Sequence, residues 1–152
     1  WTKLLPSASM IYFGKVVGAT PDGRLSGEPL SEGISPFQGM DREGPTAVLQ
    51  SAAKIDHLKT GGTLLNQKFA PQFFRDDRSI RKLTQLIRAY FRMNGHHIQF
   101  NVVSAEMLRE AQKHPEKHQD LIVRVAGYSD YFNDLGTELQ EEIIRRTAHG
   151  HV

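Results

Sequence analysis

The stretch Leu121–Phe132 constrains the fold more than any other part of the chain. It begins with an apolar run, rich in β-branched residues, that ends at Ala126; this pattern is typical of a strand buried on both faces. Arg124 interrupts the run and needs a partner if it is buried. Gly127 follows and allows backbone φ values that other residues avoid. The sequence therefore predicts a buried strand that leads directly into a glycine turn.

The composition is that of a globular domain, and it excludes several classes of protein. The chain has 152 residues, 24% of them charged and 39% hydrophobic, enough for one domain with a core. Its formal net charge is +2 with both signs interspersed, so we expect no nucleic-acid partner. The absence of cysteine excludes disulfides, thiolate metal ligands and any chemistry that needs a thiol from this chain.

The sequence carries no signal for a membrane or for secretion. No apolar run approaches the length that spans a bilayer, and no signal peptide is visible. The sequence starts at Trp1 rather than at methionine, which fits a processed or partial chain. We therefore expect a cytoplasmic protein without a membrane partner.

A long irregular segment precedes the regular elements. Glycine and proline are frequent over residues 14–36, and Pro21-Asp22-Gly23-Arg24 has the composition of a tight turn. Such a segment is uncommon in a compact domain unless it is functional or packs against another structure. We expect it, together with the apolar residues 1–13, to contact a part of the structure outside this chain.

Periodicity and capping signals predict alternating helices and strands over the rest of the chain. In chain order these are a helix over 44–54, a strand over 63–69, a helix over 79–93, a strand over 97–103, a helix over 104–113, the strand over 121–126 and a last helix. The polar run Asn66-Gln67-Lys68 weakens the first strand prediction. Ile98, Phe100 and Val102 are expected on one face of the second. Thr137 opens a capping box before the last helix.

Residue patterns with possible chemistry mostly have simpler interpretations. The histidines lack a carboxylate placed to complete a ligand set, so we expect no metal site but surface histidines and one in a buried hydrogen bond. They include His96, His97, His114, His118, His149 and His151. The carboxylate pairs Asp76-Asp77 and Glu141-Glu142 suit a helix start and a helix surface better than acid–base catalysis. The glycine-rich segment lacks the strand and lysine of a phosphate loop.

The stretch around Gly127 resembles the radical-bearing loop of glycyl radical enzymes. The similarity rests on Arg124-Val125-Ala126-Gly127-Tyr128-Ser129, with Phe132 four residues past Tyr128. The flanking segments agree with it: Gly95–Val103 resembles the strand before the loop, and Leu139–Thr147 resembles the closing helix. Segments at 21–24, 28–30 and 33–36 resemble the entry to the C-terminal region, so the similarity covers essentially the whole chain.

This resemblance implies that Gly127 carries a backbone radical, installed as a modification by a separate iron–sulfur activating enzyme that uses S-adenosylmethionine. No cofactor is expected to be bound by the chain itself. The radical reacts with oxygen, so the loop should be buried when the radical is present and should loosen for activation. Arg124 and Tyr128 are candidates for positioning the loop or presenting it to the activating enzyme. Structural anchoring through a buried salt bridge and an aromatic contact is the alternative for both residues.

The resemblance also implies an α/β fold, the C-terminal part of a ten-stranded α/β barrel that the radical loop enters. Residues 1–31 would be the tail of the catalytic barrel domain, and residues 32–152 the glycyl radical domain. In the family the radical passes to a cysteine, which then abstracts hydrogen from a small-molecule substrate. This chain has no cysteine, so the N-terminal barrel must supply it. The full enzyme is expected to be a homodimer.

Several functional alternatives remain open on the sequence. The loop looks closer to the dehydratase and lyase branch of the family than to the acyltransferases of the pyruvate formate-lyase type. A stand-alone replacement domain for an oxygen-damaged enzyme is a third possibility within the family. Outside it, the chain could be a non-catalytic domain that docks on a larger protein through residues 1–13 and the 14–36 segment.

Overall fold

A small parallel sheet and a β-hairpin form the centre of the fold, accompanied by five α-helices. The computed structural model describes residues 9–146 and 148–150, and every structural statement refers to these residues. The helices are α1 (Met10–Val16), α2 (Gly44–Ala52), α3 (Asp77–Arg92), α4 (Ala105–Lys113) and α5 (Thr137–Arg145). The strands are β1 (Asn66–Phe69), β2 (Gln99–Val102), β3 (Ile122–Arg124), β4 (Ser129–Tyr131) and β5 (Ala148–His149). No helix in the described ranges is both long and apolar enough to span a membrane.

The sheet has the order β2-β1-β5, with both neighbours parallel to β1. Asn66 pairs with Gln99 at one end of the β1–β2 ladder, and Phe69 pairs with Val102 at the other. The connection from β1 to β2 runs through α3, as parallel pairing requires a crossover. The expected α/β class is therefore confirmed.

Two apolar clusters stabilise these elements. One lies between β3, α4 and α5; its buried members are Val103, Leu108, Ala111, Val123, Val125, Ala126, Phe132, Leu135, Ile143 and Ile144. The other lies between α2, β1 and α3; its buried members are Val48, Leu49, Ala52, Leu65, Phe69, Phe73, Leu86 and Tyr90. The hairpin thus shares its core with α4 and α5, whereas β1 shares its core with α2 and α3.

The helix starts show which capping signals operate. The Asp76 carboxylate accepts a 2.7 Å hydrogen bond from the Ser79 amide, so α3 begins at Asp77, two residues before the predicted start. The Ser104 hydroxyl accepts a 3.1 Å hydrogen bond from Met107, which confirms the predicted start of α4. The predicted capping box of α5 is wrong. Thr137 is already the first helical residue, and the extended Gly136 occupies the capping position without any side-chain hydrogen bond.

The structure refines the strand predictions in three respects. The predicted first strand is present as β1, and all four of its residues are buried, although three of them are polar. In β2 the predicted apolar face packs Ile98 and Phe100 against the second apolar cluster but leaves Val102 45% exposed, while Gln99 and Asn101 on the opposite face are buried. In β3 the Ile122 side chain is 55% exposed, so the prediction of a strand covered on both faces is wrong. The burial of polar residues in β1 and β2 has a common cause, which is the hydrogen-bonding role of these side chains described below.

The irregular segment after α1 has its own polar anchor. Arg24 is buried and donates to backbone carbonyls of the same segment, including Glu28 at 2.7 Å and Leu25 at 3.1 Å. The predicted turn at residues 21–24 is present, with Gly23 at φ +100°. Residues 1–8 of the predicted N-terminal docking segment, together with His151, lie outside the described residues.

Candidate functional site

Gly127 lies in the turn that joins β3 to β4. The two strands are antiparallel, with Arg124 opposite Ser129, and the Val125 amide donates a 2.9 Å hydrogen bond to the Tyr128 carbonyl. Ala126 and Gly127 are therefore the two central residues of the turn. Gly127 has φ +82°, a left-handed conformation that strains residues with a Cβ. The predicted glycine turn is confirmed, and its geometry requires glycine independently of any chemistry.

The second half of the turn is exposed, whereas the residues that lead into it are buried. Val125 and Ala126 are almost fully buried, but Gly127, Tyr128 and Ser129 are exposed. Ala126, the first central residue of the turn, still packs in the apolar cluster, whereas Gly127 lies beyond it. The expectation that this strand buries Gly127 is therefore wrong for the described residues, and any cover over the turn must come from elsewhere.

Amide side chains of β2 connect the parallel sheet to the hairpin. The Asn101 side chain accepts from the Arg124 amide at 2.8 Å and donates to the Arg124 carbonyl at 2.7 Å. Gln99, two residues earlier and on the same face, accepts a 2.8 Å hydrogen bond from Arg124 Nε. Asn101 thus satisfies backbone groups of β3, and Gln99 satisfies the side chain of Arg124, which is why these polar residues of β2 face inward.

The carbonyl of Val125 accepts hydrogen bonds from two side chains. Asn66 Nδ2 donates to it at 3.0 Å from β1, and an Arg146 guanidinium nitrogen donates to it at 3.0 Å from the end of α5. The same Arg146 nitrogen lies 3.3 Å from the Arg124 carbonyl. We call Asn66 and Arg146 the carbonyl clamp. It fixes the peptide that immediately precedes the two central residues of the turn.

Each member of the carbonyl clamp is itself held by a carboxylate. Arg146 forms an ion pair with Glu142 one helical turn earlier, at 2.7 Å and with both side chains almost buried. Asn66 Nδ2 also donates to Glu32, whose carboxylate accepts a further hydrogen bond from the Ser35 hydroxyl at 3.2 Å. The segment that contains Glu32 is thereby connected to the base of the turn.

Burial dominates the electrostatics around the clamp. It raises the pKa of Glu32 to about 7, although the positive charge of Arg146 and the hydrogen bonds from Asn66 and Ser35 act in the opposite direction. Burial also lowers the pKa of Lys68 to about 8, with a further lowering from the charge of Arg146. Lys68 donates to the Ile144 carbonyl at 2.9 Å, near the C-terminal end of α5, and lines a cavity of about 50 Å³ with Glu32 and Arg146. The site is therefore a buried polar layer beneath an exposed turn.

The two candidates next to Gly127 occupy different environments. Arg124 is half-buried and donates to the neutral side chains of Gln99 and Ser129, at 2.8 and 3.1 Å, so the salt bridge considered for it does not form with any described residue. Tyr128 is 42% exposed and has no aromatic contact within the described ranges. The structure thus anchors Arg124 and leaves Tyr128 available at the surface.

The histidines do not assemble into a site. His149 is the buried one, with Nε2 3.5 Å from Asp41 Oδ2. The His97 ring is half-buried, and its pKa is lowered by burial and then by the charge of Arg124. Over 9–146 and 148–150, no three histidine, aspartate or glutamate side chains are grouped so that they could hold a metal ion.

Asn66 and Arg146 were not singled out by the sequence analysis. For Asn66 the only signal was the polar run within a strand pattern, which by itself is typical of an exposed strand. For Arg146 no local signal exists, because its backbone acceptors lie 21 and 22 residues away along the chain.

The fold and this site define an α/β domain that presents a glycine turn from a clamped hairpin. A family model described as glycine radical matches residues 30–133, which include the whole hairpin. The chain belongs to this family of glycyl radical proteins.

The similarity to proteins named for their reactions covers nearly all of the chain. Trans-4-hydroxy-L-proline dehydratase of Clostridioides difficile is 58% identical over 95% of the chain, and indoleacetate decarboxylase of Tractidigestivibacter scatoligenes is 46% identical over 90%. The glycerol-bound structure of the B12-independent glycerol dehydratase of Clostridium butyricum is 52% identical and superposes with a TM-score of 0.92 over 97% of the chain. The chain spans 18%, 16% and 19% of these three proteins, respectively.

Proposed function

We propose that Gly127 is the radical-bearing residue of a glycyl radical enzyme of the dehydratase or lyase type. The observation that carries this proposal is the position of Gly127: it is at the exposed tip of a hairpin turn, within the part of the chain that matches the family. An exposed tip is accessible to a second protein, and a clamped base keeps the turn in one conformation while that protein acts.

The chemistry requires a glycine at this position for a second reason. Removal of one hydrogen atom from Cα leaves an unpaired electron between an electron-donating amide nitrogen and an electron-withdrawing carbonyl, and both delocalise it. Without a Cβ, the carbon becomes planar at no steric cost. An iron–sulfur activating enzyme that uses S-adenosylmethionine would remove this hydrogen atom.

The stored radical would start catalysis through a cysteine outside this chain. Gly127 takes the hydrogen atom of the thiol and is restored, and the thiyl radical then takes a hydrogen atom from a small-molecule substrate. Because the chain has no cysteine, we place the thiol on the catalytic barrel of the full enzyme, which we expect to be a homodimer. That barrel would also cover the exposed turn and exclude oxygen, and the oxygen sensitivity of the radical favours an enzyme of anaerobic cells. We expect this enzyme to be cytoplasmic.

The reaction branch is supported by the relatives. The similar proteins include dehydratases, a decarboxylase and the isethionate sulfite-lyase of Bilophila wadsworthia, at 45% identity over 97% of the chain. This favours cleavage of a C–O, C–N, C–C or similar bond over acyl transfer. The substrate is decided by residues of the barrel.

The test is anaerobic activation of the enzyme with its activating enzyme, followed by electron paramagnetic resonance. We expect an organic radical in the wild type and none in Gly127→Ala. Gly136→Ala is the matched control, because Gly136 has an ordinary φ of −61° and open space for a Cβ. It should give the wild-type signal.

A second experiment identifies the residue type. Growth on glycine deuterated at Cα should collapse the hyperfine splitting caused by the remaining Cα hydrogen. A radical that survives Gly127→Ala, or a spectrum unchanged by deuterated glycine, would contradict the proposal. Circular dichroism of Gly127→Ala separates loss of the radical from loss of the fold.

A further inference from the structure

We propose that the carbonyl clamp, Asn66 and Arg146, positions the turn that carries Gly127, so that this chain itself sets the geometry of the radical site. This inference rests on the proposed function of Gly127. It concerns positioning residues, because both side chains donate to the carbonyl of Val125 and would act on Gly127 through it.

The clamp acts at the residue that closes the turn. The Val125 amide closes the turn through its 2.9 Å hydrogen bond to the Tyr128 carbonyl, while the Val125 carbonyl is held by the two clamp donors at 3.0 Å each. Both polar groups of Val125 are thus fixed, and Val125 is fully buried. Movement of the turn relative to β1 and α5 requires the two clamp hydrogen bonds to break.

The hydrogen bonds around the clamp form a closed circuit. Arg124 Nε donates to Gln99, the Gln99 amide donates to Asn66 Oδ1, and Asn66 donates to the Val125 carbonyl, one residue after Arg124. The circuit joins β1, β2 and β3, and each amide donates and accepts at once. Such a closed network orients its members more tightly than separate hydrogen bonds would.

The residue type at position 146 also fits this role. The Arg146 Nε and one terminal nitrogen contact Glu142, while the other terminal nitrogen contacts the carbonyls of residues 124 and 125. An apolar pair could hold the end of α5 at lower desolvation cost, but it could not donate to these carbonyls. A lysine has only three donors on one compact ammonium group, so it could not reproduce the five hydrogen bonds that the arginine fork makes. The contacts with the turn therefore explain why an arginine stands here.

The test is amide hydrogen exchange on the full chain by NMR, with Arg146→Lys compared with wild type. We expect the Val125 amide to exchange about tenfold faster, as for loss of one hydrogen bond from a charged donor. The Leu108 amide in α4 shares the same apolar cluster and should not change. Arg145→Lys is the matched control, because Arg145 is the exposed neighbour and should behave as wild type.

Two results would overturn the proposal. In one, Val125 exchange is unchanged in Arg146→Lys; in the other, Val125 and Leu108 accelerate equally, which is the sign of a purely structural role. If Arg146→Lys does not fold, Asn66→Ser decides the question, since it removes the donor on the other side of the carbonyl and should accelerate Val125 by a similar factor. If the Val125 amide exchanges at the wild-type rate in Asn66→Ser, that result would contradict the proposed role of the clamp.

The radical yield after anaerobic activation distinguishes failure of this inference from failure of the proposed function. Arg146→Lys should give a lower yield of radical than Arg145→Lys when the two variants are compared at a temperature at which both are fully folded. If the wild type forms no radical, the proposed function fails, while amide exchange still reports whether the clamp positions the turn. Equal radical yields in the two variants would contradict the role of the clamp in presenting Gly127.

Discussion

The base and the tip of the β3–β4 hairpin are adjacent in sequence and opposite in environment. Val125 and Ala126 are almost fully buried, and the backbone of Val125 is hydrogen-bonded at both its amide and its carbonyl. One residue later, Gly127 is exposed, and it is followed by the exposed Tyr128. The chain therefore fixes the turn through the buried residues at its base and leaves its tip exposed to solvent. Under the proposed function, an activating enzyme must reach Gly127 and the catalytic barrel must cover it. A buried, hydrogen-bonded base next to a solvent-exposed glycine suits both requirements.

The largest expected difference between the two regions is in stability. Phe132 follows β4 and is fully buried in the cluster with α4 and α5, whereas its neighbour Tyr131 is 47% exposed. We expect Phe132→Ala to lower the free energy of unfolding by about 3–5 kcal/mol, because it leaves a cavity in the core. Tyr131→Ala should cost less than about 1 kcal/mol. Chemical denaturation of both variants measures the contrast, and equal losses would show that the base and the exposed face of the hairpin do not differ.

A smaller effect is expected from the charge beneath the turn. The pKa of Glu32 is raised in the folded chain from 4.5 to about 7, so the folded state binds more protons than the unfolded state between these values. Stability should therefore fall as the pH rises from about 4.5 through about 7, by about 1–3 kcal/mol from this group. Glu32→Gln mimics the neutral acid and should remove this loss.

The pH dependence of the free energy of unfolding for wild type and Glu32→Gln checks this prediction. The two proteins should have similar stability near pH 4.5 and diverge above it, with the variant more stable at pH 8. Glu43→Gln, at an exposed glutamate, is the control and should follow the wild type. A variant that is less stable than wild type at pH 8 would show that ionised Glu32 stabilises the clamp.

The smallest expected effect on stability is at the tip. Tyr128→Ala should change the free energy of unfolding by no more than about 0.5 kcal/mol, because the side chain is exposed and has no aromatic contact among the described residues. The same variant should lower the yield of radical if Tyr128 presents the turn to the activating enzyme. A loss of stability well above 1 kcal/mol would instead support structural anchoring.

The sequence predicted the local features of this arrangement. The glycine turn, α2, α3 and α4 follow from the periodicity of apolar residues, from side-chain caps and from the backbone freedom of glycine, all of which act within a few residues. The assignment of Gly127 as the radical residue came from the resemblance to a family rather than from these rules, and it stays a prediction. By composition alone, Gly127 was a turn glycine.

The sequence did not predict the polar layer under the turn. A strand with Asn66, Gln67 and Lys68 has the pattern of an exposed segment, yet all three side chains are buried and donate to carbonyls of distant segments. Similarly, Gln99 and Asn101 face inward because they hydrogen-bond the side chain and the backbone of Arg124, respectively. These hydrogen bonds join residues 22 to 76 positions apart, and no local pattern encodes them.

The central claim is that Gly127, among the 13 glycines of the chain, stores the radical. Exposure of the activated enzyme to oxygen, followed by mass spectrometry, tests it most directly, because a Cα radical reacts with oxygen and the backbone breaks where the radical was. We predict a single new cleavage at Gly127, which is absent without activation and absent in Gly127→Ala. An intact chain after decay of the radical signal, or cleavage at a different glycine, would contradict the claim.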